Sequence, residues 1–152
     1  MANLTGPMGG FPIDSTTREA SASLPLGTLA WDHDGNEYRY VCAGADVAAN
    51  DAVRFQGSAA GWDDVRPTSA TGQNVIGVAT AAFDQSVAPY GFVLTRGVVT
   101  CKVVVSTTAL LPLVTTATAG TLDDAAETSL AGVRGIVALV TGVAAGSAVA
   151  LL

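Results

Sequence analysis

Residues that could act as catalytic groups are few in this chain. A single histidine, His33, serves all 152 residues, and the two cysteines, Cys42 and Cys101, lack the CxxC spacing that is typical of a metal site. A serine or cysteine hydrolase needs a base within hydrogen-bond reach of its nucleophile. His33 lies between two aspartates in a predicted turn, where a solvated surface position is expected. We therefore predict that the protein is not an enzyme and holds no metal and no cofactor.

Two pairs of adjacent aspartates, Asp63-Asp64 and Asp123-Asp124, contain the carboxylates that glycoside hydrolysis would require. Neighbouring residues on a strand point to opposite faces, so neither pair converges on one substrate without a turn. Adjacent acids in loops more often keep a surface soluble. A polysaccharide hydrolase is accordingly the least favoured function for this sequence.

The segment from Asp32 to Asn36 has the spacing of part of a calcium-binding loop. Such a loop ends in a glutamate at its twelfth position, and Ala43 stands there instead. Asp34-Gly35 is typical of a hairpin turn, and Glu37–Cys42 has the alternation of a strand. The segment therefore predicts a β-hairpin rather than a calcium site.

Composition limits the classes of partner. The chain is 49% hydrophobic and only 13% charged, and its seven basic and thirteen acidic residues give a formal net charge of −6. This charge repels nucleic-acid phosphates and anionic membrane surfaces. The N-terminus does not have the pattern of a secretory signal, and no segment approaches the roughly 20 apolar residues of a membrane helix. We expect no nucleic acid and no membrane as partners, and a soluble product that is made in a cytoplasm and not exported.

From residue 27 to residue 152 the sequence has the pattern of short strands separated by turns. Gly97, between two of the strand-like runs, predicts a turn or a bulge. The whole pattern predicts an all-β fold, either an antiparallel β-sandwich or a small β-barrel, with the last strand tied into a sheet. The densest strand-like runs are residues 74–80, 90–95, 98–105, 134–140 and 147–152.

Three features of this region admit alternatives. Both cysteines lie in strand-like runs, which predicts buried free thiols, with a Cys42–Cys101 disulfide as the less favoured alternative. Leu122–Leu130 could form about two turns of helix, although a loop is equally consistent. Most of the nine aromatic residues, Trp31 among them, are predicted to lie in the core, whereas Trp62 could anchor a partner.

Residues 1–26 differ from the domain that follows at 27–152. Backbone breakers such as Gly6-Pro7 alternate there with isolated apolar residues that cannot build a core alone. We predict an extended N-terminal arm that docks on a partner, with a frayed terminus as the alternative. The residues predicted to contact the partner are Phe11, Ile13, Leu24 and Leu26 in the arm and Trp62 in the domain.

Several segments of residues 28–152 follow one another in a characteristic order. They are Leu29–Val41, Ala43–Ala45, Ala49–Val53, Ile76–Ala79, Tyr90–Gly97, Thr115–Gly120 and a glycine- and valine-rich end. In style and strand order these segments resemble the small head decoration, or cement, proteins of tailed bacteriophages.

The resemblance implies a β-rich structural protein of the virion, commonly a homotrimer, on the outer capsid surface where several major capsid protein subunits meet. It implies no catalytic residue. The expected partners are the major capsid protein and further copies of the chain, and the hydrophobic surplus suits such interfaces. Deletion of residues 1–26 is expected to leave a folded domain with weaker capsid attachment. The main alternative is a host-surface or glycan-binding module of a phage tail or fibre, with an exposed Trp62 as its signature.

Overall fold

The computed structural model describes residues 3–4, 13–56, 64–104, 107–124, 136–139 and 147–151, and within these ranges the chain forms strands and turns without a helix. The prediction of an all-β fold is confirmed. The strands are β1 Asn3–Leu4, β2 Ile13–Asp14, β3 Arg18–Glu19, β4 Leu29–Trp31, β5 Glu37–Ala43, β6 Ala52–Phe55, β7 Asp64–Pro67, β8 Gly77–Val78, β9 Tyr90–Cys101, β10 Leu113–Thr115, β11 Leu122–Asp124, β12 Ile136–Ala138 and β13 Ser147–Leu151.

Five of these strands close into a small barrel. β5 pairs with β9, β9 with β8, β8 with β6, β6 with β7, and β7 returns to β5. Four of these pairings are antiparallel, as predicted, whereas β7 runs parallel to β5 with Cys42 opposite Asp64. β4 extends the sheet from β5, and β13 followed by β12 extends it from β9. Closure leaves no free edge within the ring itself.

Alternation along the barrel strands separates the side chains into two hydrophobic cores. On β5, Val41 belongs to one core and its neighbour Tyr40 to the other, and on β9 Val93 and Phe92 are divided in the same way. The barrel interior contains Val41, Ala43, Val47, Val53, Val65, Ala79, Phe83 and Val93. The outer core contains Ala30, Tyr38, Tyr40, Ala52, Val78, Phe92, Leu94, Cys101, Val103, Leu113, Leu122, Ala138, Val149 and Leu151.

The hairpin between β4 and β5 is organised by one buried carboxylate. Asp32 Oδ1 accepts the backbone N–H groups of Asp34 and Asn36, each at 2.9 Å. Asp32 Oδ2 accepts Nδ2 of Asn36 at 2.8 Å and the hydroxyl of Tyr38 at 3.2 Å. Gly35 supplies the positive φ of 81° that the turn requires. The predicted hairpin is confirmed, and both oxygens of Asp32 are used by the turn itself.

The twelve-residue strand β9 continues through Gly97, where the sequence predicted a turn or a bulge. A bulge is present, because the pairing with β5 passes over Thr95 between Leu94 and Arg96. Gly97 itself has a φ of 124°, and a Cβ there would lie 2.0 Å from Oδ1 of Asn36. The bulge is therefore confirmed over the turn, although it lies at Thr95, and Gly97 is needed for the backbone conformation and for close packing.

Residues 15–26, in the second half of the predicted arm, lie against the domain. β3 pairs with β9, and the Arg18 guanidinium lies 3.9 Å from the centroid of the Phe83 ring. The hydroxyl of Tyr40 donates a hydrogen bond to the carboxylate of Glu19. β1 and β2 form a separate antiparallel pair. Deletion of the whole predicted arm would remove packing that the domain uses, so a truncation that ends before β2 tests the arm more cleanly.

The second half of the domain confirms one prediction and corrects another. β13 pairs with β9 over five residues, so a strand near the end of the chain is tied into the sheet as predicted. β11 pairs with β10, so the predicted helix or loop at Leu122–Leu130 is wrong for Leu122–Asp124. Burial of Leu122 in the outer core favours the strand. Residues 125–130 lie outside the described residues.

An ion pair joins the end of β9 to the start of β6. Lys102 Nζ lies 2.5 Å from Oδ1 of Asp51, whose side chain is only 5% exposed. Asp51 Oδ2 accepts the backbone N–H of Ala48 at 2.9 Å. A Cβ on Gly120 would lie 2.3 Å from the Asp51 carboxyl group, so the packing around this carboxylate is close. The buried Asp51 therefore depends on Lys102 for its counter-charge.

We predict that Lys102→Met lowers the free energy of unfolding by about 3 kcal/mol, because it leaves the buried Asp51 carboxylate without a cation. Urea denaturation followed by circular dichroism measures this change. Arg96→Met, which removes an exposed cation from β9, is the matched control and should change stability little. Equal effects of the two substitutions would contradict the assigned role of the ion pair.

A second prediction concerns acid stability. Burial raises the pKa of Asp32, but the hydrogen bonds from Asn36, Tyr38 and Asp34 outweigh burial and leave the pKa below the ordinary value of 3.8. The pKa of Asp32 is lower in the folded protein than in the unfolded protein. Its ionised carboxylate therefore stabilises the fold fully above the unfolded-state pKa, and this stabilisation is lost as the pH falls through the folded-state pKa. Asp32→Asn should therefore reduce stability at pH 7 by about 1–3 kcal/mol and flatten its decline below about pH 4.

Urea midpoints measured between pH 7 and pH 3 test the acid-stability prediction. Asp34→Asn is the control, since the Asp34 side chain is 68% exposed. An unchanged pH dependence in Asp32→Asn would show that this carboxylate does not contribute to acid unfolding.

Candidate partner-binding surfaces

The residues considered for catalysis do not assemble into an active site in the described part of the chain. The His33 side chain is 79% exposed, and its Nε2 lies 3.2 Å from Oδ1 of Asp34, which is also exposed. The prediction of a surface histidine is confirmed. No group of three or more His, Cys, Asp or Glu side chains among the described residues is arranged to hold a metal ion.

The aspartate pair on β11 has a structural role. Hydrogen bonds from the Thr108 backbone and side chain lower the pKa of Asp124, and the Thr108 N–H donates to Oδ2 at 3.1 Å. Burial raises the pKa of Asp123, whose Oδ1 accepts the N–H of Asp124 at 2.9 Å. The pair therefore fixes the turn at Thr108 against β11. Asp63, of the other pair, lies outside the described residues.

Both cysteines are free thiols, as predicted, but the predicted burial is confirmed for Cys101 alone. Cys101 is fully buried, and burial raises its pKa to about 12. Cys42 is half-buried, and burial raises its pKa also. A nucleophilic cysteine requires a lowered pKa, so neither thiol is activated for catalysis.

The residues predicted to contact a partner are not brought together. Leu24 is partly buried and packs against the outer core, whereas Leu26 is 42% exposed. Ile13 belongs to β2, where the structure describes its backbone pairing. Phe11 and Trp62 lie outside the described residues.

Two large apolar side chains are exposed on β4. Leu29 and Trp31 are 36% and 38% exposed, while Ala30 between them is buried in the outer core. In the strand order of the described residues, β4 is the outermost strand and pairs with β5. We call Leu29 and Trp31 the edge patch.

Sequence reasoning missed the edge patch because it assigned Trp31 to the core. The pattern that could have predicted the exposure of Trp31 is the small residue Ala30 between two large apolar residues. In a strand this pattern directs Leu29 and Trp31 to the same face, away from Ala30. Tyr38, which was also assigned to the core, is buried as predicted.

A second exposed apolar cluster lies where the turn before β10 meets β12. Leu110 is 74% exposed, and Leu111 and Leu139 are 39% and 37% exposed. The N–H of Leu110 donates to the carbonyl of Ala138 at 2.7 Å. Leu110 has a φ of 67°, a left-handed conformation that costs about 1–2 kcal/mol for a residue with a Cβ. We call Leu110, Leu111 and Leu139 the turn patch.

Exposed apolar side chains such as those of the edge patch gain free energy when they are buried. Full burial of one large apolar side chain stabilises a complex by about 1.5–3 kcal/mol, less for groups already half-buried. Both patches therefore offer apolar contact area.

No protein-family model, curated protein or solved structure matches this chain. Within the described residues, no helix has the length and apolar character needed to cross a membrane. The proposed function therefore depends on the two exposed apolar patches and on the order of strand-like segments in the sequence.

We predict that Leu110→Asn raises the free energy of unfolding by about 0.5–1 kcal/mol. Asparagine adopts the left-handed conformation at lower cost, and a side chain as exposed as Leu110 loses little packing when replaced. Urea denaturation measures the change, with Leu111→Asn as the control at a position without a positive φ. A loss of stability in Leu110→Asn would show that the leucine packs in the isolated protein and that the turn patch is not free to bind.

Proposed function

We propose that the protein is a structural component of a phage virion that binds the outer capsid surface and cements contacts between major capsid protein subunits. The observation that carries the proposal is the edge patch, two large apolar side chains exposed on the outermost described strand beside a closed barrel. The sequence resemblance of residues 28–152 to decoration proteins supports the same function. The chain is proposed to act as a homotrimer, with the major capsid protein and itself as partners.

The architecture suits a passive load-bearing role. The barrel and the outer core share strands β5, β6, β8 and β9, so a force applied at β4 passes directly into both cores. Small apolar contacts are individually weak, but many identical contacts repeated over a shell act together. A rigid domain also loses little conformational entropy on binding.

The arm residues Phe11 and Ile13 keep their proposed role as capsid contacts. Ile13 precedes the turn that leads into β3, and β3 is paired with β9. Any contact made by Ile13 is therefore anchored to the barrel a few residues further along the chain. Truncation of residues 1–12 removes Phe11 together with β1, the described pairing partner of β2, and leaves the pairing of β3 with β9 in place.

A glycan-binding module of a phage tail or fibre is the second candidate, and the exposure of Trp31 favours it. An indole that is 38% exposed on a strand could stack on a sugar ring. Trp62, the residue that the sequence suggested for this role, lies outside the described residues. Quenching of tryptophan fluorescence on addition of host glycans, and its loss in Trp31→Phe, would support this candidate.

The copy number of the chain in purified phage particles tests the proposed function. Quantitative mass spectrometry against the major capsid protein should give hundreds of copies per particle. A handful of copies would move the protein to the tail or fibre, and complete absence would refute a virion role.

The edge patch is tested by the double substitution Leu29→Ser and Trp31→Ser. Each of the two half-exposed side chains should contribute about 1 kcal/mol to binding. The double substitution should therefore weaken binding to undecorated particles tenfold or more. Val87→Ser is the matched control, because Val87 is 64% exposed but lies in a turn away from β4. Thermal unfolding of each variant separates loss of binding from loss of fold. Unchanged occupancy by a folded double variant would exclude the edge patch as the capsid contact.

A further inference from the structure

The turn between β4 and β5 contains a residue pair that occurs once in the chain. Asp34 is the single aspartate of ten that is followed by glycine, and none of the four asparagines is. An aspartate in this position can cyclise, because the amide nitrogen of the next residue attacks the side-chain carboxyl carbon. Glycine favours the attack, since it has no side chain to obstruct the approach and its backbone adopts many conformations.

The structure leaves both reacting groups accessible. The Asp34 side chain is 68% exposed. A Cβ built on Gly35 would have no atom within 4 Å, so the backbone there can turn without displacing a neighbour. The Gly35 N–H donates to the carbonyl of Asp32 at 3.2 Å, which is the long end of the hydrogen-bond range. Opening of this bond requires little free energy, because the turn is exposed to solvent.

The single histidine of the chain lies beside the reacting carboxyl group. Nε2 of His33 is 3.2 Å from Oδ1 of Asp34. Cyclisation expels one carboxyl oxygen, and an ionised carboxylate reacts poorly until a proton reaches that oxygen. An imidazolium at hydrogen-bond distance can deliver the proton, since histidine is the side chain that changes protonation near neutral pH.

We infer that Asp34 and Gly35 form a self-modification site, which converts the aspartate into isoaspartate in the folded protein with His33 as proton donor. A bond forms between the Gly35 nitrogen and Cγ of Asp34, and the bond from Cγ to one carboxyl oxygen breaks. That oxygen leaves as water, with one proton from the amide and one from His33, which solvent then protonates again. The product is a five-membered succinimide ring.

Water opens the ring in one of two ways. Its addition at Cγ of Asp34 breaks the new bond and restores the aspartate. Its addition at the backbone carbonyl carbon of Asp34 breaks the original bond to the Gly35 nitrogen, and the main chain then runs through Cβ and Cγ. The second product is isoaspartate, and the whole conversion consumes no co-reactant, because the water that was released is taken up again.

Isomerisation adds one carbon atom to the main chain inside the turn. The N–H groups of Asp34 and Asn36 both donate to Oδ1 of Asp32 at 2.9 Å, and the added atom lies between these two donors. The hydrogen bonds fit the original spacing, so at least one of them is lost. Because the Asp32 carboxylate organises the turn, the modification weakens the hairpin of β4 and β5.

The same turn is connected to β9 and to the edge patch. Oδ1 of Asn36 accepts the N–H of Val98 at 3.2 Å, and a Cβ on Gly97 would lie 2.0 Å from that oxygen. Trp31 pairs with Glu37 directly beside the turn. A covalent change in the turn therefore reaches both strands. The inference concerns the isolated chain and does not rest on the capsid role.

Incubation of the full chain at neutral pH and physiological temperature tests the inference. Mass spectrometry of proteolytic peptides with electron-transfer fragmentation distinguishes isoaspartate from aspartate, and a peptide lighter by one water reports the ring. We expect isoaspartate to accumulate at Asp34 and at none of the other nine aspartates. Absence of isoaspartate at Asp34, or equal accumulation at the other aspartates, would overturn the inference.

Two variants test the roles of the individual groups. Asp34→Glu keeps the carboxylate but requires a larger ring, so it should stay unmodified. His33→Gln should slow the accumulation at least threefold, a modest effect beside the roughly 100-fold or more of a firmly positioned acid, because His33 is exposed. Equal rates with and without the imidazole would refute the assignment of His33, and modification of Asp34→Glu at the same rate would refute the cyclisation.

The modified protein tests the consequence for the turn. The isoaspartate form, separated by ion-exchange chromatography, should unfold at a Tm about 2–4 °C lower than the original protein, since it loses a hydrogen bond to the Asp32 carboxylate. The matched control is Asp34→Glu, whose Tm should be the same before and after incubation. An unchanged Tm of the isoaspartate form would overturn the link between the modification and the turn.

Discussion

The fold depends on the pairing of β9 with both β5 and β8. This strand pairs along its first part with β5, meets β8 at Leu94, and continues past Gly97 to pair with β13. A straight strand could not serve the barrel and the outer sheet equally well, and the bulge at Thr95 together with the positive φ of Gly97 redirects it. The two hydrophobic cores follow from this, because β9 contributes alternate side chains to each of them.

Charged groups in this fold are held by different kinds of partner. Asp32 and Asp51 are buried, and their carboxylates are engaged, one by the donors of its own turn and the other by Lys102. The Nη groups of Arg18 donate to backbone carbonyls, although its buried Nε has no hydrogen-bond partner. No carboxylate among the described residues forms an ion pair with Arg54 or Arg66.

The surface proposed for capsid binding is apolar. The edge patch lies on β4, the outermost described strand in the order that continues through β5 and β7. Exposed apolar area of this kind favours affinity without strict specificity. β4 pairs with β5, which contributes side chains to both cores, so the patch is attached to both cores through one strand pairing.

Local patterns in the sequence determined the all-β class, the β4–β5 hairpin at Asp34-Gly35, the surface position of His33 and the strand near the end of the chain. Each of these depends on neighbouring residues, through alternation, turn preference or solvation, so one sequence suffices to predict it. The tertiary structure alone decided the parallel pairing of β5 with β7, the strand at Leu122–Asp124 and the exposure of Trp31. It alone also placed Arg54 opposite Arg66. The parallel pairing depends on which distant segments meet, and such pairing leaves no local signal in the residues themselves. The strand at Leu122–Asp124 and the Arg54–Arg66 pair depend on the register of neighbouring strands, which the packed cores select. The exposure of Trp31 depends on which face of β4 the outer core covers.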